Sequence, residues 1–124
     1  MTTSNAERVL AYATAALIFQ WRGDKAAGDL ALYAVTRHGQ GWKVREPAIP
    51  IATIKPTTDG TFRATVYDPR NPESVALSWT IGTRKNAVSQ CNDKVRRLLT
   101  WCEVAFVPLS VGRPKGARNL TQDD

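Results

Sequence analysis

The side chains best able to do chemistry in this sequence are cations, and they gather in its last third. Residues 84–118 carry eight Lys or Arg against two acids, whereas residues 1–83 carry nine against seven. Cations with so few compensating acids are suited to contacting phosphates. The distribution predicts a polyanionic partner, which is an inference about association and not about fold. The eight cations are Arg84, Lys85, Lys94, Arg96, Arg97, Arg113, Lys115 and Arg118.

Catalytic and metal chemistry is poorly supported by the other reactive residues. His38 is the one histidine of the sequence, and Cys91 and Cys102 lack zinc-ligand spacing. No acidic pair is placed by a motif, and no Gly-rich phosphate loop stands between a strand and a helix. We therefore expect no enzyme activity, no catalytic residue, no metal and no cofactor. The two cysteines, eleven residues apart on one predicted helix, cannot bond to each other and are expected to be buried.

The first element that must position the cations is a predicted helix over residues 4–22. A capping-box motif, SNAE, opens the segment, and apolar residues recur at helical spacing up to Gly23. A strand over residues 16–22 is the alternative, because its bulky apolar residues also favour β-structure. The apolar first helix could equally pack in the core or form the contact of a homo-oligomer.

The middle of the chain predicts antiparallel β-structure. Strand formers over residues 29–37 lead through a His-Gly-Gln-Gly turn into a second strand at 42–45. Prolines around residues 51–55 limit that segment to a short edge strand. The remaining strands are predicted at 61–67 and 75–81, separated by a Pro-rich loop.

Two of these strands show a clear alternation of side chains. Arg63, Thr65 and Tyr67 alternate with apolar neighbours, so they share one strand face. This face combines a cation, a hydroxyl and an aromatic ring, and could hold a stacked base. In the strand at 75–81 the four apolar residues share a face, which predicts that Trp79 lies in the core.

A second helix is predicted over residues 84–102. Its apolar residues fall within about a third of the helical circle and predict a core-facing stripe. Its cations occupy the polar half without forming a single stripe, because Lys94 and Arg97 lie away from Lys85 and Arg96 in angle. The cationic side is either a solvated helix face or a phosphate-contacting one.

Together these elements predict one α+β domain over residues 1–109, an antiparallel sheet of four to five strands flanked by N- and C-terminal helices. Residues 104–107 form either a final strand or an extended exit. Residues 110–124 lack apolar periodicity and are predicted to be a flexible basic tail. The N-terminal apolar run lacks the features of a signal peptide and is too short to span a bilayer, so we expect a cytoplasmic protein without a membrane partner.

The sequence GRPKG at residues 112–116 resembles the AT-hook, whose Arg-Gly-Arg-Pro core lies in the minor groove of A·T-rich DNA. Glycine and proline let such a backbone lie flat in the groove, and arginine enters its negative potential. Val111 stands where the first arginine of the hook would be. The resemblance implies minor-groove contacts from Arg113, Pro114, Lys115 and Arg118.

Residues 61–99 read strand, loop, strand and a helix opened by Arg84 and Lys85. This order resembles the closing half of a double-stranded-RNA-binding domain and the sheet-plus-helix DNA-binding modules of phage integrases. In the RNA-binding family the helix N-terminus touches phosphates, which implies that role for Arg84 and Lys85. The strands predicted between residues 29 and 55 match neither family.

The sequence thus favours a non-catalytic nucleic-acid-binding protein, with duplex DNA as the first candidate partner. Its size and lack of a catalytic set are typical of a phage or plasmid accessory or regulatory protein. One alternative is an OB-like single-stranded-DNA-binding protein that stacks bases on Tyr67, Trp42 or Trp101. A second is a small inhibitor that docks its basic face on an acidic protein surface. The predicted nucleic-acid contacts are Arg84, Lys85, Lys94, Arg96, Arg97, Arg113, Pro114, Lys115, Arg118, Arg63 and Tyr67.

Overall fold

A computed structural model describes residues 18–46, 48–68, 71–99 and 103–109 of the chain. These residues form seven strands and one helix, so the α+β class is confirmed. The elements in chain order are β1 (Ile18–Asp24), β2 (Asp29–His38), β3 (Gly41–Val44), β4 (Ala52–Pro56), β5 (Phe62–Asp68), β6 (Asn71–Ile81), α1 (Arg84–Leu98) and β7 (Ala105–Val107).

The strands form one open sheet in the order β6-β5-β4-β2-β1-β7. Neighbouring strands are antiparallel, except that β7 runs parallel to β1. Strand β2 is long enough to take two partners along one edge: residues 30–32 pair with β4, and residues 35–38 pair with β3. The long strand β6 and the short strand β7 therefore lie at the two ends of this order.

The core lies between one face of the sheet and helix α1. Strand side chains alternate between faces, and each of β1, β2, β4 and β5 contributes two alternate buried residues to this core. They are Phe19 and Trp21, Leu30 and Leu32, Ala52 and Ile54, and Ala64 and Val66. Each large apolar side chain that is fully buried contributes about 1.5–3 kcal/mol to stability. The largest buried side chains of this cluster are Phe19, Leu30, Leu32, Ile54, Val66, Cys91, Val95 and Leu99.

Two tryptophans anchor the flanks of α1 to the sheet. Trp21 Nε1 on β1 donates to Asn92 Oδ1 at 2.9 Å, and Trp79 Nε1 on β6 donates to Gln90 Oε1 at 3.0 Å. A buried indole N–H needs a partner, and here the partner is a helix side chain in both cases. The two bonds fix one flank of the helix toward β1 and the other toward β6. Trp79 is partly buried against the core, in keeping with its predicted position.

The turn between β4 and β5 is organised by Asp59. Its carboxylate accepts hydrogen bonds from the hydroxyl of Thr57, from the hydroxyl of Thr61 at 2.7 Å and from the Thr61 amide at 3.2 Å. These donors, the Thr57 hydroxyl first, lower the pKa of Asp59 to about 2. Gly60 supplies the positive φ of 87° that the turn requires.

The helix predicted over residues 4–22 is wrong from residue 18 onward, where β1 begins. Phe19 and Trp21 are buried on one face, and β1 has hydrogen-bonded neighbours on both sides. The alternative strand prediction is therefore confirmed from Ile18, while residues 1–17 lie outside the described residues. β1 is a strand because it pairs with β2 and β7. The spacing of apolar residues within residues 4–22 contains no information about these partners.

The strand count of four to five is also wrong, partly because β4 is not an edge strand. It lies between β2 and β5. Its Pro56 is tolerated because β2 pairs with β4 only over residues 30–32, so the missing N–H needs no β2 partner. Strand β6 already begins at Asn71, inside the predicted loop, and β7 follows α1, so the helix is not a C-terminal flank.

Several local predictions are confirmed. The β2–β3 hairpin turns where the His-Gly-Gln-Gly sequence lies, β5 alternates as expected, and α1 begins at Arg84. The last strand, predicted over residues 104–107, is β7. Within the described part of the chain, no helix is long and apolar enough to cross a membrane.

Candidate nucleic-acid interface

The five helix cations do not form one surface. Lys85 and Arg96 lie within about 20° of each other around the helix, but about 16 Å apart along its axis. Lys94 lies about 160° from Arg96, on the flank whose Gln90 bonds Trp79. A phosphate backbone could therefore reach only part of this set at once.

Arg96 and Arg97 contact other side chains of the molecule. Arg97 Nε lies 3.2 Å from Asp93 Oδ2, one turn earlier on the helix. The Arg96 guanidinium lies 5.0 Å from the ring centroid of Phe106 on β7. Both contacts are at exposed side chains and so contribute little stability. These contacts nevertheless engage two of the cations that would otherwise be available to bind a phosphate.

Two of the other three cations of α1, Arg84 and Lys85, occupy its first turn. Thr83 is the N-cap, and its hydroxyl accepts from the Asn86 amide at 3.2 Å. Arg84 and Lys85 follow, with no acidic residue in that turn. Cations near the positive end of a helix dipole are electrostatically unfavourable. The arrangement is compatible with the predicted phosphate contact, but it adds only one local cluster.

Arg63 and Tyr67 lie on the other side of the sheet from the helix. In β5 the intervening residues Ala64 and Val66 are fully buried beneath α1, whereas Arg63 is exposed and Tyr67 half-buried. The predicted helix and strand residues therefore face in opposite directions. A single straight duplex cannot contact both sets together.

The sheet surface that carries Arg63 and Tyr67 is named here the open face. Strand register assigns to the same face the alternate residues of the neighbouring strands. They include Gln20, which is buried, and Asp24 and Asp29, which lie in the row of Lys55 and Arg63. The other polar members of the open face, all exposed or half-buried, are Arg22, Tyr33, Thr53, Lys55, Arg63, Thr65, Tyr67, Ser78 and Thr80.

Two cations stand directly opposite each other on the open face. Lys55 of β4 pairs in register with Arg63 of β5. Like charges at directly opposed positions are unfavourable. Lys55 Nζ contacts Asp29 Oδ1 at 2.7 Å, and Arg63 Nη1 donates to the neutral hydroxyl of Ser78 at 3.1 Å. Asp29 offsets one charge, whereas the hydroxyl leaves that of Arg63 uncompensated.

A third cation is held by neutral acceptors at the β1 end of the face. Arg22 Nε donates to Gln20 Oε1 at 2.8 Å, and its Nη2 donates to the Trp42 carbonyl oxygen at 2.8 Å. Gln20 is only 7% exposed, and its Nε2 lies 3.4 Å from the Pro108 carbonyl oxygen. Arg22 is thus positioned by bonds that leave its charge intact.

Hydroxyls lie between these cations. Thr53, Thr65 and Ser78 occupy one row across β4, β5 and β6, and the same row reaches Arg22 through β2. The Thr65 and Ser78 hydroxyl oxygens are 3.4 Å apart. Such groups both donate and accept, so they can contact phosphate, sugar or base edges.

Two tyrosines complete the face. Leu32 of β2, Ala52 of β4 and Val66 of β5 are aligned across the sheet. Tyr33 and Tyr67 are the next residues after Leu32 and Val66, and β2 and β5 run in the same direction, so the two tyrosines are also aligned. They are therefore two strand spacings apart, about 10 Å. Tyr67 is four residues from Arg63, which sets the tyrosines about 13 Å from the cation pair along the strands.

The acidic residues near this surface gather at one end. Asp24 and Asp29 face each other beside the β1–β2 turn, where Asp24 Oδ1 also accepts from the Ala27 amide at 3.1 Å. Asp29 lies in the same row as Lys55 and Arg63, so its charge repels a polyanion from the β2 side of Lys55. The path left for an anionic ligand runs from the tyrosines to Arg63 and the β5 side of Lys55.

Other predicted participants are less informative. Trp42 is half-buried, with the Arg37 guanidinium 5.1 Å from its ring centroid. Cys91 is buried and reduced, and burial raises the pKa of its thiol to about 12. No group of three potential metal ligands occurs among the described residues. Trp101, Cys102, Arg113, Pro114, Lys115 and Arg118 lie outside the described residues.

Arg22, Tyr33 and Lys55 were not predicted as site residues. Tyr33 lies in a strand predicted correctly, but that strand is apolar at alternate positions of both faces, so its pattern does not assign a face to Tyr33. Lys55 lies in the segment predicted to be a short edge strand, and Arg22 lies in the segment predicted to be a helix. The positions of all three depend on strand pairing, which no local pattern specifies.

Comparison with known proteins gives no further guide. No protein-family model matches the chain, and no similar curated protein or solved structure was found.

Proposed function

We propose that the protein binds single-stranded nucleic acid on the open face, without catalysis. The observation that carries the proposal is the direct pair of Lys55 and Arg63 on an exposed surface that also presents two tyrosines. A phosphate between the two cations converts their repulsion into charge-assisted hydrogen bonds. Lys55 already has Asp29 as an anionic partner, whereas Arg63 contacts only the neutral hydroxyl of Ser78. A bound phosphate would supply the anion that Arg63 lacks among the described residues.

The tyrosines supply the second half of the site. Bases of an unpaired strand can stack on Tyr33 and Tyr67, whose separation of about 10 Å leaves room for a nucleotide between them. Base–aromatic stacking contributes about 1–3 kcal/mol per base and tolerates any sequence. Phosphates then reach Arg63 and Lys55, while Arg22 and the hydroxyl row contact the neighbouring backbone.

A single strand fits this surface better than the duplex first predicted. Bases in a duplex are stacked on one another, so their faces are hidden from tyrosine rings. The duplex hypothesis also assigned phosphate contacts to all five helix cations, and Lys94 and Arg96 lie on opposite flanks of α1. Minor-groove binding by Arg113 and its neighbours, and a role in a phage or plasmid, stay predictions.

The test is a comparison of ligands by fluorescence anisotropy with the full chain at low salt. The ligands are a labelled DNA strand of about 12 nucleotides, its RNA equivalent and the DNA duplex. We expect both single strands to bind more tightly than the duplex. A duplex that binds more tightly would contradict the proposal, and absence of all binding would favour docking on an acidic protein.

Matched variants locate the site. Tyr67→Ala should weaken single-strand binding by roughly 5- to 150-fold, the equivalent of 1–3 kcal/mol of stacking. Arg63→Ala should also weaken it, whereas Lys85→Ala removes an exposed cation from the helix side and should change little. Equal losses from Lys85→Ala and Arg63→Ala would move the site away from the open face.

A further inference from the structure

The outer edge of β6 is the least protected part of the described fold. The strand has eleven residues and ends the strand order, and no strand among the described residues pairs with its outer side. An unpaired edge presents a row of backbone N–H and C=O groups, which is a template for another strand.

Protection of this edge is confined to the start of β6. Edge strands that remain single typically carry lysine, proline, an inward charge or a bulge. Pro72 and Glu73 lie at the start of β6, whereas residues 74–81 read SVALSWTI, with no charge, proline or glycine. At the opposite end of the sheet, β7 has only three residues and Pro108 follows it. The second half of β6 is therefore the part of the edge that is open to another strand.

Side-chain exposure singles out the same strand. Val75 and Leu77 are the large hydrophobic residues that stand exposed in the described part of the chain, at 56% and 41%. The register with β5 slips by one residue between Val66 and Tyr67, which is a bulge in β6 near Ala76. The straight part of the edge is consequently Leu77–Ile81.

We propose that this straight edge pairs with the same edge of a second copy of the chain, antiparallel about a two-fold axis at Trp79. In that register Leu77 faces Ile81, Ser78 faces Thr80, and the two Trp79 residues face each other. The segment LSWTI has the same order of apolar and hydroxyl residues in both directions, so every pair is matched in type. A two-fold axis brings like onto like, and an uncharged segment avoids the resulting repulsion.

Because LSWTI matches its own reversed order in residue type, we infer that the partner strand comes from a second copy of the chain and not from an unrelated protein. The axis stands perpendicular to the sheet, so both helices lie on one side and both open faces on the other. The pairing does not depend on nucleic-acid binding. If the proposed function holds as well, the two open faces form one continuous surface across the dimer.

Sedimentation velocity of the full chain without nucleic acid tests the pairing. We expect the mass to rise with concentration from 13.7 kDa to twice that value. Leu77→Lys should raise the dissociation constant by at least about tenfold, because the charge would be buried opposite Ile81. Ser89→Lys, the control, adds the same charge on the exposed side of α1 and should leave dimerisation unchanged.

A monomer mass at every concentration overturns the proposal. The edge would then be available to a strand from a different protein. A dimer unaffected by Leu77→Lys overturns it as well, because the contact must lie elsewhere. Circular dichroism verifies that each variant is folded.

A cross-link covers the case in which Leu77→Lys fails to fold. In a Cys102→Ser background, Ser78→Cys with Thr80→Cys should give an interchain disulfide on mild oxidation, because directly opposed strand residues have suitable Cα spacing. A dimer in solution that forms no such disulfide contradicts the stated register and edge. Since nucleic acid is absent throughout, either failure leaves the proposed function to be judged separately.

Discussion

The salt dependence of single-strand binding follows directly from the charges of the open face. Arg22, Lys55 and Arg63 are its three cations. Each phosphate contact to a single strand contributes about −0.7 to the slope of log K against log salt, so three contacts give about −2. A fourfold rise in salt, from 50 to 200 mM, then weakens binding by about 20-fold.

Binding of a duplex by α1 and residues 110–124 predicts a much steeper salt dependence. The eight cations predicted from the sequence set the upper limit for binding to a duplex, with a slope of about −7 and a loss of about 10⁴-fold over the same salt range. Arg63→Ala should flatten the single-strand slope to about −1.4, because one contact is lost. Lys85→Ala should leave it near −2.

The assay is anisotropy at four or five salt concentrations with the wild-type chain and both variants. Because slopes are compared, the result does not depend on the absolute affinity. A single-strand slope steeper than about −4, or one that Arg63→Ala leaves unchanged, would refute the assignment of phosphate contacts to the open face.

Three further predictions concern the fold that supports this face. Thr83→Ala removes the N-cap bond of α1 and should lower the free energy of unfolding by about 1 kcal/mol in denaturant titrations, whereas Thr83→Ser should retain it. In a Cys102→Ser variant, a thiol reagent at pH 8 should label Cys91 only after unfolding; rapid labelling of the native protein would contradict its burial. Because hydrogen bonds in the folded state lower the pKa of Asp59 to about 2, its contribution to stability is present above the ordinary value of 3.8 and lost as pH falls toward 2. Asp59→Asn should lack this loss of stability in acid, as measured by unfolding at pH 2–5, and an unchanged pH profile would count against the turn geometry.

The elements predicted well are those whose signals are local. The β2–β3 hairpin is marked by its glycine turn, and α1 by its apolar stripe and its start at Arg84. The alternation of β5 correctly separated Arg63 and Tyr67 from Ala64 and Val66. In each case the pattern and the element span the same short segment.

The elements predicted wrongly depend on distant partners. Strand β1 has apolar residues compatible with helix or strand, and its pairing with β2 and β7 decides the outcome. Strand β4 has prolines that suggest an edge, yet β2 and β5 enclose it. Both errors affect residues of the proposed site, since Arg22 lies on β1 and Lys55 on β4.

The charge count along the sequence does not indicate the site that we propose. It located the excess in the last third of the chain, but a count along the sequence carries no information about which face each cation occupies. Strand register brought Lys55 and Arg63 together from segments with almost balanced charge. Their proximity depends on geometry and has no compositional signature.

The central claim is that nucleic acid contacts the open face and not the helix side. Its most direct test is photo-cross-linking of the full chain to a single strand carrying a photoreactive thymine, followed by peptide mapping. The account predicts adducts in the peptides from β2 and β5 that contain Tyr33 and Tyr67. Adducts confined to α1 or to residues 110–124 would contradict it.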